Sequence, residues 1–323
     1  MPFYTFSILN KLNDHFKSST FGVLSIFGLL GILIITSIPT IITEAEVAIS
    51  PYNADKVNPK EKNWYIFQAE AGSVVANSIL IQNTGETNSE VSISGKDAQI
   101  LENGNLTIIP DNQENKSAGN WIELDVSKVA IEPKKSSQVG FKINIPKDTQ
   151  DGEYASGIGV SEVVKTSPQN NIIKRQGLRI YTAVGKNFDL NIQAEKLNIL
   201  DPRDPNYQQI REQKSYFGRN NLLLEFEAEN QGNVFGLMQG KYSLVKPDGS
   251  IFENNFELEI APKTGKRKYY LITNQEYFVG TTKVILDYKT TPENIPADKV
   301  KNLNPKSAYG DSLTLSQNQW DNF

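Results

Sequence analysis

The stretch Val74–Gly85 reads VVANSILIQNTG, apolar and polar side chains in near alternation up to a turn of Asn, Thr and Gly. Successive side chains of a strand point to opposite faces, so such a run buries one face of a sheet and wets the other. Asn tolerates turn conformations and Gly accepts positive φ without steric cost, which closes the strand at Asn83-Thr84-Gly85.

Working outward, the same period recurs at Glu90–Lys96, Gln138–Ile145 (QVGFKINI), Leu222–Glu229 (LLLEFEAE) and Thr282–Tyr288 (TKVILDY). Turn signals punctuate these runs at Asn103-Gly104, Asp151-Gly152, Asn230-Gln231-Gly232 and Pro247-Asp248-Gly249. The strand ending at Asn83-x-Gly85 is echoed by the one ending at Asn230-x-Gly232, 147 positions on (230 minus 83). Ile131-Glu132-Pro133-Lys134 is echoed by Ile260-Ala261-Pro262-Lys263, 129 positions on (260 minus 131), and both precede an aromatic strand, at Phe141 and Tyr269. Gly152 and Gly280 each open a further apolar strand. An extra segment of about 18 residues (147 minus 129) in the first copy accounts for the difference, and Asp97–Asn120 is its expected place. Pro133 and Pro262 lack a backbone donor and suit a strand start or sheet edge.

The expected fold is all-β: two immunoglobulin-like β-sandwich domains without a disulfide, preceded by one N-terminal hydrophobic helix. A propeller or barrel is the alternative, disfavoured because only two copies are visible. The boundaries follow as 1–45 for a signal peptide or N-terminal membrane anchor, 46–187 and 188–290 for the sandwiches, and 291–323 for a polar flexible tail. The N-terminal helix is the uncharged run Phe21–Ile42, with Lys11 and Lys17 before it and Glu44 and Glu46 after it. Its length suits a membrane span with the positive flank inside. A secretory peptide, with Thr43 and Ala45 as the small residues before the cut, is the competing reading, with Pro39 ending the helix early. Either way the rest of the chain is expected outside the cytoplasm, at the cell surface or secreted.

With 33 Lys and Arg against 37 Asp and Glu, the chain has a formal charge of −4, which argues against nucleic acid as a partner. The one basic cluster, Lys263–Lys268, reads as a solvated turn. Cysteine is absent and the single histidine, His15, precedes the apolar run, so Ser-His and Cys-His nucleophile pairs and ordinary zinc sites are excluded from the exported part. A carboxylate pair stays chemically open, yet Glu225, Glu227 and Glu229 alternate with apolar residues as the wet face of a strand does. No catalytic, cofactor-binding or metal-ligating residue is singled out, no cofactor is expected, and the chain is read as no enzyme.

Three constellations have a functional and a plainer reading. Asp201-Pro202-Arg203-Asp204-Pro205 could offer calcium oxygens, but two prolines favour a stiff linker. Trp64, Tyr65, Phe67 and Trp121 could stack on sugars, but their spacing favours the core. The sequons at Asn105 and Asn115 read as chance in an Asn-rich loop.

Together, Asn83-Thr84-Gly85, Asn103-Gly104, Trp121-Ile122, Val129-Ala130-Ile131-Glu132-Pro133, Ile143-Asn144-Ile145-Pro146 and Asp151-Gly152-Glu153-Tyr154 make Val47–Gly185 resemble the WxL-interacting protein family, in its peptidoglycan-binding domain. Gly157-Ile158-Gly159-Val160 stands where that family usually has a Gly-Gly pair, and Leu178-Arg179-Ile180-Tyr181 resembles its closing strand. The second copy resembles the companion domain through Asn230–Val234, Gly240-Lys241-Tyr242 and Pro247-Asp248-Gly249. The family's C-terminal membrane helix and basic tail have no counterpart here. The resemblance implies a non-enzymatic cell-surface binding or adhesion protein. Its expected partners are peptidoglycan or another wall component, a surface protein, and the membrane through the N-terminal helix. The alternative is a periplasmic assembly chaperone of the pilus type, which lends a strand to another protein's open sheet. A carbohydrate-active enzyme is the third reading.

Overall fold

The computed structural model describes residues 47–52, 63–101, 106–165, 171–200, 207, 209–210, 221–246, 248–276, 280–301 and 306–315. The run Phe21–Ile42 with its expected helix, the Asn103-Gly104 turn, the sequon Asn105 and the linker Asp201–Pro205 lie outside them.

The described chain is all-β. The first copy comprises β1 (Val47–Pro51), β2 (Trp64–Ala69), β3 (Val74–Asn83), β4 (Ser89–Ile100), β5 (Leu106–Ile108), β6 (Ile122–Leu124), β7 (Lys128–Ile131), β8 (Ser136–Asn144), β9 (Gly152–Lys165) and β10 (Asn171–Val184). The second comprises β11 (Phe188–Asp189), β12 (Ile192–Ile199), β13 (Asn221–Asn230), β14 (Gly236–Val245), β15 (Ile251–Ile260), β16 (Arg267–Glu276), β17 (Gly280–Pro292), β18 (Val300–Lys301) and β19 (Lys306–Leu315).

In the first copy a sheet of order β1-β3-β8-β6 faces one of order β2-β10-β9-β4-β5, with β7 also on β4. Their inner faces meet in a core that includes Ile79, Ile81, Phe141, Ile158 and Ile180. In the second copy β12-β13-β16 faces β15-β14-β17-β19 around Leu224, Phe226, Met238, Leu244 and Leu286. Five strand pairs coincide between the copies. The pairs β1–β3, β3–β8, β4–β7, β4–β9 and β9–β10 of the first match β12–β13, β13–β16, β14–β15, β14–β17 and β17–β19 of the second.

The echoed turns coincide atom for atom. The Asn83 amide donates to Thr87 O at 2.7 Å and Ile131 O at 2.9 Å, while its oxygen accepts Gly85 N–H at 2.9 Å. Asn230 does the same with Val234 O at 2.8 Å, Ile260 O at 3.1 Å and Gly232 N–H at 3.0 Å. Both side chains are buried, where an unmet polar group is costly, so each Asn staples a strand end to the Ile that opens Ile-x-Pro. Lys134 and Lys263, one residue after the prolines, both take positive φ, 58° and 56°.

The expected polar tail, 291–323, is corrected in its described part. Strand β18 pairs with β11, and β19 pairs with β17 and completes the four-stranded sheet. Ile295 and Val300 are buried in the second core, and this burial holds a segment whose polar composition suggested none. The extra segment of the first copy carries β5, a 3₁₀ turn at Ala118–Trp121, and β6. The second copy joins β14 to β15 by a tight turn instead, with Lys246 N–H donating to Ser250 O at 2.8 Å.

Candidate functional site

Strands β9 and β10 form a hairpin in unbroken register, from Gly152↔Val184 at the base to Lys165↔Asn171 at the far end. Neighbouring strands support only part of it. On one side β4 pairs with β9 over Ser156–Glu162. On the other, β2 runs parallel to β10 over Arg179–Val184 alone. Gln176 is held by β1 of the facing sheet, whose Ile49 N–H donates to Gln176 Oε1 at 3.2 Å. Among the described residues, no strand pairs with Ile172, Ile173 or Arg175 of β10 on its β2 side.

The end of this ribbon is apolar on both faces. Val163 pairs with Ile173 on one face, each 57% exposed, and Val164 pairs with Ile172, itself 51% exposed, on the other. Natural sheets guard open edges with lysine, proline or bulges, because unpaired backbone groups beside apolar side chains recruit another strand. The hint in sequence was the pair of doublets Val163-Val164 and Ile172-Ile173, which break the period of two; the readings above did not use it.

At the base the hairpin joins the second copy. The Asn233 amide donates to Asp151 O and to Asn187 O, both at 2.9 Å, and its oxygen accepts Asp189 N–H at 2.8 Å. Hydrogen bonds from the Asn187 and Lys186 backbone hold the Asp151 carboxyl below its ordinary range. Glu153 accepts Phe235 N–H at 2.9 Å and the Asn294 amide at 2.8 Å, and burial pushes its pKa up to about 7. The Asn294 oxygen has no partner among the described residues. A half-turn of that carboxamide presents it to the proton of a neutral Glu153, since the amide orientation follows the hydrogen-bond network. Beside this, the Tyr181 hydroxyl donates to Glu259 at 2.8 Å, and Arg179 lies 3.6 Å from the same carboxylate and over the Trp64 ring. A cavity of about 540 Å³ opens at the junction between Ile100, Leu106 and Tyr154 of the first copy and Phe235, Lys263 and Arg267 of the second.

The sequence constellations take their plainer readings where they are described. Tyr65 is buried, and Phe67 and Trp121 pack against the first core. Trp64 packs at the junction cluster with Tyr181 and Phe235. The Asn115 side chain turns inward, accepting Asp97 N–H and donating to Gly95 O, each at 2.9 Å. Lys266 and Lys268 of the basic cluster pair with Glu195 and Glu225. Among the described residues no group of His, Cys, Asp and Glu could hold a metal ion.

No protein-family model matches the chain, and no curated protein matches it. Solved structures that it resembles include the class 5 fimbriae chaperone CfaA, at 13% identity and a TM-score of 0.38, covering 83% of this chain and 100% of that one. The YadV chaperone stands at 10% identity and 0.39, covering 82% and 100%. A complex of the Salmonella enterica SafA pilin with the SafB chaperone stands at 9% and 0.37, covering 84% and 98%. Likeness this distant carries no functional argument, which rests on the edge described above.

The expected partners are corrected. The three solved structures named above are of chaperones and none is of a wall-binding protein, so peptidoglycan gains no support from them; no helix of the described residues is long and apolar enough to cross a membrane. Peptidoglycan is accordingly withdrawn as a partner, and the N-terminal run expected to attach the chain to a membrane lies outside the described residues.

Proposed function

We propose that this chain is an extracytoplasmic, non-enzymatic protein of the assembly-chaperone class, which offers the open edge of β10 to an extended segment of a partner protein. Its two sandwiches are read as immunoglobulin-like domains on their strand order, three strands facing four in the second copy. Of the two binding readings raised by the sequence, wall adhesion and strand lending, the edge favours the second. The observation that carries this is the register: among the described residues β10 is paired on its β2 side only over Arg179–Val184, and no described strand pairs there with the apolar Ile172 and Ile173. Main-chain hydrogen bonds would supply affinity, and the apolar pairs on both faces would select a segment with apolar residues on both of its own faces.

The test is a photo-crosslinking side chain at Ile173 in cells that make the protein, with Ile251, 63% exposed on the edge strand β15, as control. The expected adduct forms at Ile173 alone and maps to an extended apolar segment of one exported β-rich protein. No adduct, or equal adducts at both positions, would sink the reading.

A further inference from the structure

The first copy's extra segment crosses the outer face of the β4-β9-β10 sheet, and what it touches there is the hairpin. Ile108 lies in a slot floored by three glycines on paired strands. A Cβ on Gly157 would stand 2.5 Å from Ile108 Cγ2, one on Gly177 2.5 Å from Ile108 Cδ1, and one on Gly159 3.2 Å from the same Cδ1. Three residues further on, one carboxylate ties three adjacent strands. Asp111 accepts Ser94 Oγ of β4 at 3.2 Å and Ser161 Oγ of β9 at 2.6 Å, and pairs with Arg175 Nε of β10 at 3.2 Å. The segment is itself anchored: Lys96 donates to Asp111 O and Gln113 O, both at 3.1 Å, and the buried Asp97 carboxylate caps the N–H groups of Lys116, Ser117 and Gly119.

The ladder gives the order along this face. Gly159↔Gly177 lies under Ile108, Ser161↔Arg175 under Asp111, and the next pair outward is the exposed Val163↔Ile173. The strap thus ends where the open edge begins. Among the described residues the second copy has no such strap, and its sheet there follows the ordinary polar-out pattern. With Ser89 and Gly236 both facing the Ile that ends the next strand, Ser94 corresponds to Lys241, whose partner Asp287 is exposed.

We propose that the strap from Leu106 to Gln113 is a brace, with Asp111 as its positioning residue, that holds β10 extended and in register so that a partner strand meets a preformed edge. This rests on the strand-docking reading. A preformed edge spares the partner the ordering of β10, which would otherwise be subtracted from binding.

The test uses the full exported chain with Asp111→Ala, the milder Asp111→Asn, and the exchanged pair Asp111→Arg with Arg175→Asp, whose guanidinium can still donate to both serine hydroxyls. Two quantities are read: amide exchange along Asn171–Gln176, with β14 as internal reference, and adduct yield from the crosslinker at Ile173. The brace predicts that Asp111→Ala speeds exchange in that stretch about tenfold while β14 is unchanged, with a parallel loss of adduct. Asp111→Asn falls between, and the exchanged pair restores both. Unchanged exchange overturns the brace. Faster exchange with undiminished adduct also overturns it while leaving strand docking intact, whereas absence of adduct in the unaltered protein defeats docking and leaves exchange to judge the brace.

Discussion

Glu153 is the residue on which the junction between the two copies is most sensitive to conditions. Its carboxyl, buried and bonded to Phe235 N–H and Asn294, titrates at about 7 against an ordinary 4.5, chiefly because burial disfavours the charged form, with Glu259 and Glu293 adding repulsion. A raised carboxyl pKa means that the folded state holds a proton which the unfolded state has already lost. Stability from this group is therefore full below about 4.5 and declines as pH rises towards 7, by about 3 kcal/mol in all. Glu153→Gln should flatten that decline: urea midpoints of the parent fall between pH 4.5 and 7, and those of the variant stay level across the same window. At this scale the sequence was partly legible. The Asn-x-Gly echo pointed to Asn83 and Asn230, because an Asn before a turn glycine has a local job. Glu153 gave no such sign, since its burial depends on Phe235 and Asn294 arriving from the far copy.

Among the elements, the strap is where a small change has the sharpest consequence. Glycine inside a strand marks a close approach, and Gly157 and Gly177 differ in what approaches. At Gly177 a methyl group would meet only the end of the Ile108 side chain; at Gly157 it would also stand 2.7 Å from Leu178 O, which is backbone. Gly177→Ala is therefore expected to lower the thermal midpoint modestly and to be rescued by Ile108→Val, whereas Gly157→Ala lowers it further and is not rescued. Equal costs, or rescue of both, would refute the slot as described. Spacing of the repeated turns foretold an insertion of about the right length in Asp97–Asn120, because counting positions needs no tertiary knowledge. What the insertion covers was not legible: Asp111 reaches Ser161 and Arg175 only after long-range pairing brings their strands together. The tail was misjudged for a related reason, as β19 is ordered by pairing with β17 and its polar composition hid it.

For the whole molecule, two copies of one strand plan differ in the connection between their corresponding strands, β4–β7 in the first and β14–β15 in the second. The second copy closes its β14–β15 connection with a tight turn between Lys246 and Ser250, while the first spends the same connection on a strap that runs along the β9–β10 hairpin as far as the Ser161–Arg175 pair. That hairpin reaches past β4 on one side and past β2 on the other, and this overhang is the central claim's physical content. The most direct measurement is backbone amide exchange along β10 in the free protein and in the complex isolated through the Ile173 adduct. The account predicts that amides of Asn171–Arg175 directed away from β9 exchange rapidly when free and become protected in the complex, while those of Arg179–Val184, already covered by β2, do not change. Protection elsewhere with Asn171–Arg175 unchanged would contradict it.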